Sequence, residues 1–307
     1  MRRLLETLER FARVAGWPIA IEGETGVGKT LVARWLHERR RPPGAPFQHI
    51  LLNTVSPSLS GSDLFGCLPG SYTGAVARRA GLIASAHGGT VFLDEIDKAP
   101  REIQQQLLHL IEWGEFFPLG ADKMVKVFVD FVVASNRSLR TLVNDGLFPH
   151  DLLARFGHFI VRVPTLRERR ADLPHLVDHF VQGLMPRCGY SSAPAIDPDL
   201  LCALCDADWP NNLRDLESAL ALLLADAGGA PVITLRHVSS EIAFLLGGRQ
   251  DRRVTDEELL DAWARSNHNQ SQAARLLGID RTTAIRRLKA KGLLVYGSAV
   301  GNPERVA

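Results

Sequence analysis

The chain has 307 residues, 46% of them hydrophobic and 23% charged, and a net charge of +2. That length allows two or three domains with sizeable cores, and the composition is that of a soluble globular protein. No apolar run reaches the roughly 18 residues of a membrane-spanning helix, so an integral membrane protein is excluded. The charged start Met1-Arg2-Arg3 argues against a secretory leader. Cys67, Cys188, Cys202 and Cys205 are too few and too scattered for a disulfide framework, so a cytoplasmic location is expected.

Residues 1–167 alternate short apolar runs with helical patterns, the signature of an α/β unit with a parallel sheet. The runs are 18–21, 50–52, 91–93, 127–134 and 159–163. Residues 168–246 show no further strands and turn to amphipathic helices, such as 173–185 and 213–224, which predicts a helical subdomain. A polar linker follows at 247–253. A compact helical segment at 254–294 and a frayed tail at 295–307 complete the chain.

Between the first run and the first long helix stands Gly23-Glu24-Thr25-Gly26-Val27-Gly28-Lys29-Thr30, a complete G-x-x-x-x-G-K-[ST] phosphate loop. Its glycines let backbone N–H groups converge on phosphate oxygens at a helix N-terminus. Lys29 is expected to reach the β/γ-phosphates, and the Thr30 hydroxyl to ligate Mg²⁺. The run 91–93 ends in Asp94-Glu95. A strand end with two acids is often only solvated. Together with the phosphate loop it predicts Asp94 as support for Mg²⁺ and Glu95 as the base that activates water, hence ATP hydrolysis.

Between these two motifs lies Gly70-Ser71-Tyr72-Thr73-Gly74-Ala75, preceded by Asp63-Leu64-Phe65-Gly66. Here the sequence resembles the AAA+ activators of sigma-54 RNA polymerase, the bacterial enhancer-binding proteins, whose hallmark loop reads G-A-F-T-G-A after E-L-F-G. The resemblance implies an AAA+ sheet with a helical lid and a hexameric ring. It also implies that Gly70 to Ala75 contact sigma-54, with Tyr72 as the aromatic anchor. By the same resemblance, Asn53 is a nucleotide switch bonded to Glu95, and Asn136, in Val133-Ala134-Ser135-Asn136-Arg137, is the polar group near the γ-phosphate. Pro164-Thr165-Leu166-Arg167-Glu168-Arg169-Arg170 resembles the family's P-P-L-R-E-R-R. Trp209-Pro210-Asn211-Asn212-Leu213-Arg214-Asp215-Leu216 resembles W-P-G-N-V-R-E-L, which makes Arg214 a second nucleotide sensor. Asn211 stands there for Gly, and Asn tolerates positive φ.

Three departures stand out. The family's F-R-x-D-L-x-x-R-L offers two arginines to the neighbouring subunit. This chain reads Phe148-Pro149-His150-Asp151-Leu152-Leu153-Ala154-Arg155-Phe156, which leaves Arg155 as the single finger. An arginine finger is worth orders of magnitude in phosphoryl transfer, so slow hydrolysis or a paralogue partner is the expected consequence. Met1 falls inside what resembles the family's first ATPase helix, without the family segment that precedes it or a regulatory domain, so the expectation is either a true start upstream of Met1 or control by a separate protein. Thr30 replaces the family's usual Glu and restores the ordinary loop.

At the far end, Asn269 to Gly278 and Asp280 to Leu288 read as helix, tight turn, helix. Arg281, Thr282, Thr283, Arg286 and Arg287 give the second helix a basic face suited to the major groove of upstream DNA. The unit resembles the Fis-type helix-turn-helix. Cys202 and Cys205 lack further ligands and are expected to be buried small apolar residues. His175 and His179, four apart, are expected to be an exposed pair rather than metal ligands. The expected function is an ATP-driven activator that opens sigma-54 RNA polymerase promoter complexes. The alternatives are a DNA-binding regulator with a vestigial ATPase, and one subunit of a hetero-oligomer.

Overall fold

The computed structural model describes residues 1–54, 60–71, 77, 79–246, 256–266, 272–273 and 288. Tyr72, Thr73, Gly74 and Ala75 lie outside the described residues, as do the linker 247–253, the tail 295–307 and the five DNA-reading candidates Arg281, Thr282, Thr283, Arg286 and Arg287. Contacts divide the chain into two compact units, Met1–Leu173 with Trp209–Leu216, and Pro174–Asp208 with the described part of Glu217–Ala307.

The first unit begins α1 (Arg2–Ala12), β1 (Ile19–Glu22), α2 (Lys29–Arg40) and β2 (Phe47–Leu51). Then come α3 (Ser60–Phe65), the short β3 (Gly66–Cys67) and β4 (Arg79–Ala80), α4 (Leu82–Ser85) and β5 (Thr90–Asp94). It continues through α5 (Arg101–Trp113), the short β6 (Glu115–Phe116) and β7 (Val125–Lys126), β8 (Asp130–Ser135), α6 (Leu139–Asn144), α7 (His150–Phe156) and β9 (Ile160–Arg162). All five expected apolar runs become strands of one parallel sheet, ordered β2-β5-β8-β1-β9.

Alternation along the strands explains why the runs are apolar throughout. Ala20, Val91, Leu93 and Val133 face a core closed by Leu107 and Leu110 of α5 and Leu152 and Phe156 of α7. Ile19, Ile21, Phe92, Val132 and Ala134 face the other way, onto Leu4 and Leu8 of α1 and Val32, Ala33 and Leu36 of α2. Far from the strands' carboxyl ends, Arg40 and Asp130 form a buried pair at 3.8 Å, each side chain under 4% exposed. The Arg40 guanidinium also donates to the carbonyls of Phe11, Val14 and Trp17, so α1 and α2 are tied at the same point. Two antiparallel pairs, β3 with β4 and β6 with β7, were not visible as runs because each strand is two residues long.

In the second unit, α8 (Leu173–Leu184) buries Val177, Val181 and Leu184 at helical spacing. The helix α9 (Pro198–Asp206) is capped by Asp197, whose carboxylate accepts from the Asp199 N–H at 3.0 Å, with Pro198 in the first turn. It is followed by α10 (Leu213–Ala227), α11 (Ser240–Leu245) and α12 (Asp256–Arg265). The strand-free expectation for this part needs correction. β10 (Ala195–Ile196) and β11 (Val232–Ile233) pair in parallel, too short to leave a periodic signal. The expected burial of the cysteine pair is also wrong for Cys202, which is exposed, while Cys205 is half-buried. His175 and His179 are exposed as expected. Among the described residues no helix is long and apolar enough to cross a membrane.

Candidate nucleotide site

Parallel strands deliver whatever follows their carboxyl ends to one edge of the sheet, where ligands of open α/β folds bind. Here β1 delivers the loop from Gly23 to Gly28, β5 delivers Asp94 and Glu95, β8 delivers Asn136, and β2 leads into the turn that carries Asn53. The register places Leu51 beside Asp94 and Glu22 beside Ser135, so these residues leave the sheet at matching heights.

The phosphate loop turns on two glycines in left-handed conformation, Gly26 at φ +77° and Gly28 at φ +102°, the latter immediately before α2. Space is a second constraint, because a Cβ on Gly26 would collide with the carbonyl oxygen of Asn211. Lys29 is buried at 8% exposure as the first residue of α2. Its ammonium donates to the carbonyls of Gly23 (2.8 Å) and Glu24 (3.0 Å) and to Asn136 Oδ1 (2.7 Å). Burial lowers the Lys29 pKa from the usual lysine range; Asp94, Glu95 and Asp97 oppose that shift, and Arg214 adds to it.

Asn136 Nδ2 in turn donates to Glu95 Oε1 at 3.3 Å. An ammonium can only donate and a carboxylate only accept, so these two neighbours fix the orientation of the Asn136 amide. The result is a chain from Lys29 through Asn136 to Glu95 across three strand ends. Glu95 adopts a left-handed backbone at φ +56°, uncommon for a residue with a side chain, and its N–H donates to Asp94 Oδ1 at 3.0 Å. The other oxygen of Asp94 lies 3.3 Å from His49 Nε2. Thr30 is half-buried on α2, and Asn53 is exposed. In this structure the hydrogen bond to Glu95 comes from Asn136.

The Trp209–Leu216 segment packs on the loop. Leu213 N–H donates to Gly26 O at 3.0 Å, and the Arg214 side-chain stem lies over Gly26. The residues with positive φ are Trp209 and Asn212 rather than Asn211, which ties its own N–H and side chain to Asp215. Sequence reasoning missed Asn212. Its buried amide accepts from the Leu166 N–H (2.7 Å) and donates to Thr25 O (3.0 Å) and Glu24 Oε2 (3.3 Å). Also missed was Arg169, whose buried guanidinium donates to Val27 O at 2.8 Å. Asp97, with a side chain only 3% exposed, was passed over as well, and its Oδ1 meets no hydrogen-bond donor. Arg155 sits on α7, 43% exposed, paired with Glu112 at 2.6 Å, and Pro149 heads that helix. Gly70 and Ser71 follow β3.

A P-loop sheet with an acid pair and a polar residue at neighbouring strand ends, and with the Trp209–Leu216 segment of the same unit packed on the loop, defines an AAA+ ATPase. Residues 1–162 match the sigma-54 interaction domain, 167–253 the AAA+ ATPase lid domain, and 254–290 the Fis family of bacterial regulatory proteins. The chain belongs to the sigma-54 interaction domain family. Among its relatives, the transcriptional regulator NtrC of Bradyrhizobium sp. is 35% identical, over 91% of this chain and 66% of that protein. NtrC of Klebsiella pneumoniae is 34% identical over 90% of this chain and 65% of its own length. The chain therefore spans about two thirds of these relatives. NtrX from Brucella abortus, solved in complex with ATP, superposes with a TM-score of 0.69 and 31% identity, covering 95% of this chain and 67% of that one.

Proposed function

We propose that this chain hydrolyses ATP to activate sigma-54 RNA polymerase, converting a closed promoter complex to an open one while bound to upstream DNA. The observation that supports the reading is the Lys29–Asn136–Glu95 chain, which joins the phosphate loop to an acid that would take a proton from water. Lys29, with the loop N–H groups from Gly23 to Thr30, would bind the phosphates. Arg214 and Asn136 would report their presence, and Asn53 would exchange partners with Glu95 between nucleotide states.

The Thr30 hydroxyl and the Asp94 carboxylate are hard oxygen donors that fit Mg²⁺. When bound, Mg²⁺ would neutralise charge on the β- and γ-phosphates. Residues Gly70 to Ala75 would contact sigma-54 through Tyr72 and Thr73, and Arg281, Thr282, Thr283, Arg286 and Arg287 would hold DNA. Arg155 would act on a neighbour's nucleotide in a self-assembled ring in the cytoplasm. Pro149 favours a second reading, in which a paralogue in a mixed ring supplies the missing arginine, or ATP drives assembly without remodelling.

The test mixes the purified protein with sigma-54 holoenzyme on a promoter fragment. Heparin-resistant open complexes should form with ATP, should fail with a non-hydrolysable analogue, and should fail with Glu95→Gln. Absence of open complexes with the parent chain, while DNA binding is intact, would overturn the remodelling reading in favour of the second.

A further inference from the structure

We infer that His49 is a positioning residue for Asp94, holding the carboxylate in the orientation that meets Mg²⁺·ATP; the inference rests on the nucleotide site proposed above. His49 lies in the middle of β2, an edge strand, opposite Phe92 of β5. Side chains alternate along a strand, so Asp94, two residues beyond Phe92, shares a face with both. That face is the one covered by α2, the helix that begins with Lys29 and Thr30.

Two contacts define the His49 ring. It packs on Phe92 with centroids 4.8 Å apart, and its Nε2 lies 3.3 Å from Asp94 Oδ2. A carboxylate only accepts, so Nε2 carries the hydrogen and donates. Asp94 Oδ1 already accepts from the Glu95 N–H at 3.0 Å. One oxygen is thus held by backbone and the other by His49, and together they set the plane of the carboxylate. Packing on Phe92 keeps the ring from turning away, yet it does not require a ring nitrogen at the contact with Asp94. Outer partners of metal-binding carboxylates act in this way, by orientation.

The experiment compares three chains. His49→Phe keeps a ring on Phe92 and removes the donor, whereas His49→Gln restores a side-chain N–H of similar reach. His49 is on an edge strand and its side chain is 36% exposed, so both substitutions leave the sheet's core untouched. ATP binding is measured by calorimetry in EDTA and in Mg²⁺, and steady-state hydrolysis alongside. All three chains should bind ATP equally in EDTA. The gain in affinity on adding Mg²⁺ should fall roughly tenfold in His49→Phe, as for other outer-partner losses, and return in His49→Gln. Hydrolysis should follow through kcat more than KM. A His49→Phe chain with the parent's gain, or a larger one, overturns the inference, as does a His49→Gln chain as impaired as His49→Phe. A parent chain that binds no ATP in either condition overturns the nucleotide-site reading itself, a result distinct from the other two.

Discussion

Two regions bearing on ATP chemistry are built on opposite plans. At the carboxyl edge of the sheet, Lys29, Asp94, Glu95 and Asn136 are delivered by three adjacent strands and joined by hydrogen bonds. On α7, Arg155 stands on a seven-residue helix, half in solvent, with Glu112 as its ion-pair partner. The first region is pre-organised by register, because strand pairing sets the heights of its side chains before any ligand arrives. The second is a long, flexible cation held by one surface ion pair, of a kind commonly worth under about 1 kcal/mol. On the function proposed above, nucleotide binding is a property of the folded chain, whereas turnover would depend on what Arg155 meets.

The largest expected effects fall on the first region. Lys29→Ala should abolish ATP binding in a calorimetric titration. Asn212→Ala comes next. It leaves the Leu166 N–H without a buried acceptor, at a cost of about 1–3 kcal/mol for the orphaned group, measurable by urea unfolding. It also frees the loop at Thr25, so ATP affinity should fall with stability. Retained affinity would show that the loop holds its shape unaided.

Arg155→Ala sharpens the comparison from the other side. ATP affinity should stay within about twofold, since a surface pair carries little energy. Hydrolysis per subunit should fall, and mixing with Lys29→Ala chains, which keep the arginine, should restore part of it. No restoration would remove the in-trans role. Smallest of all is Glu168, whose carboxylate accepts from the Thr165 N–H (2.8 Å) and hydroxyl (3.1 Å) and from Arg162 (2.9 Å). The Thr165 backbone bond, then Arg162, holds its pKa below the ordinary carboxylate range. A lowered acid stabilises the fold above the unfolded value and loses that effect as pH falls through the folded one. The stability gap between the parent and Glu168→Gln should therefore close in acid, below about pH 4.

The phosphate loop, the acid pair and the five strands were legible because each needs a fixed order of residue types at fixed spacing. Strands buried on both faces leave apolar runs, and a loop that folds around phosphate leaves glycines. Asn212 left no such mark. Its importance lies in a buried amide satisfied from Leu166, Thr25 and Glu24, which only folding brings together. The neighbouring Asn211 drew the expectation of positive φ, and the backbone gave that conformation to Trp209 and Asn212 instead. His49 was silent for a similar reason: on an edge strand a histidine reads as solvated until the register sets it beside Asp94. The paired strands of two residues each are below the length at which alternation can be seen.

The left-handed backbone of Glu95 has a consequence for how this protein can change. A side chain held in that conformation costs on the order of 1–3 kcal/mol, a cost that glycine would not carry. Selection for hardiness alone would therefore favour glycine at position 95 and, in the same step, remove the carboxylate that faces Asn136. With Glu95 in its proposed role, robustness and turnover would pull in opposite directions at this one residue, and a chain that keeps glutamate there would keep a less stable turn for the sake of its chemistry.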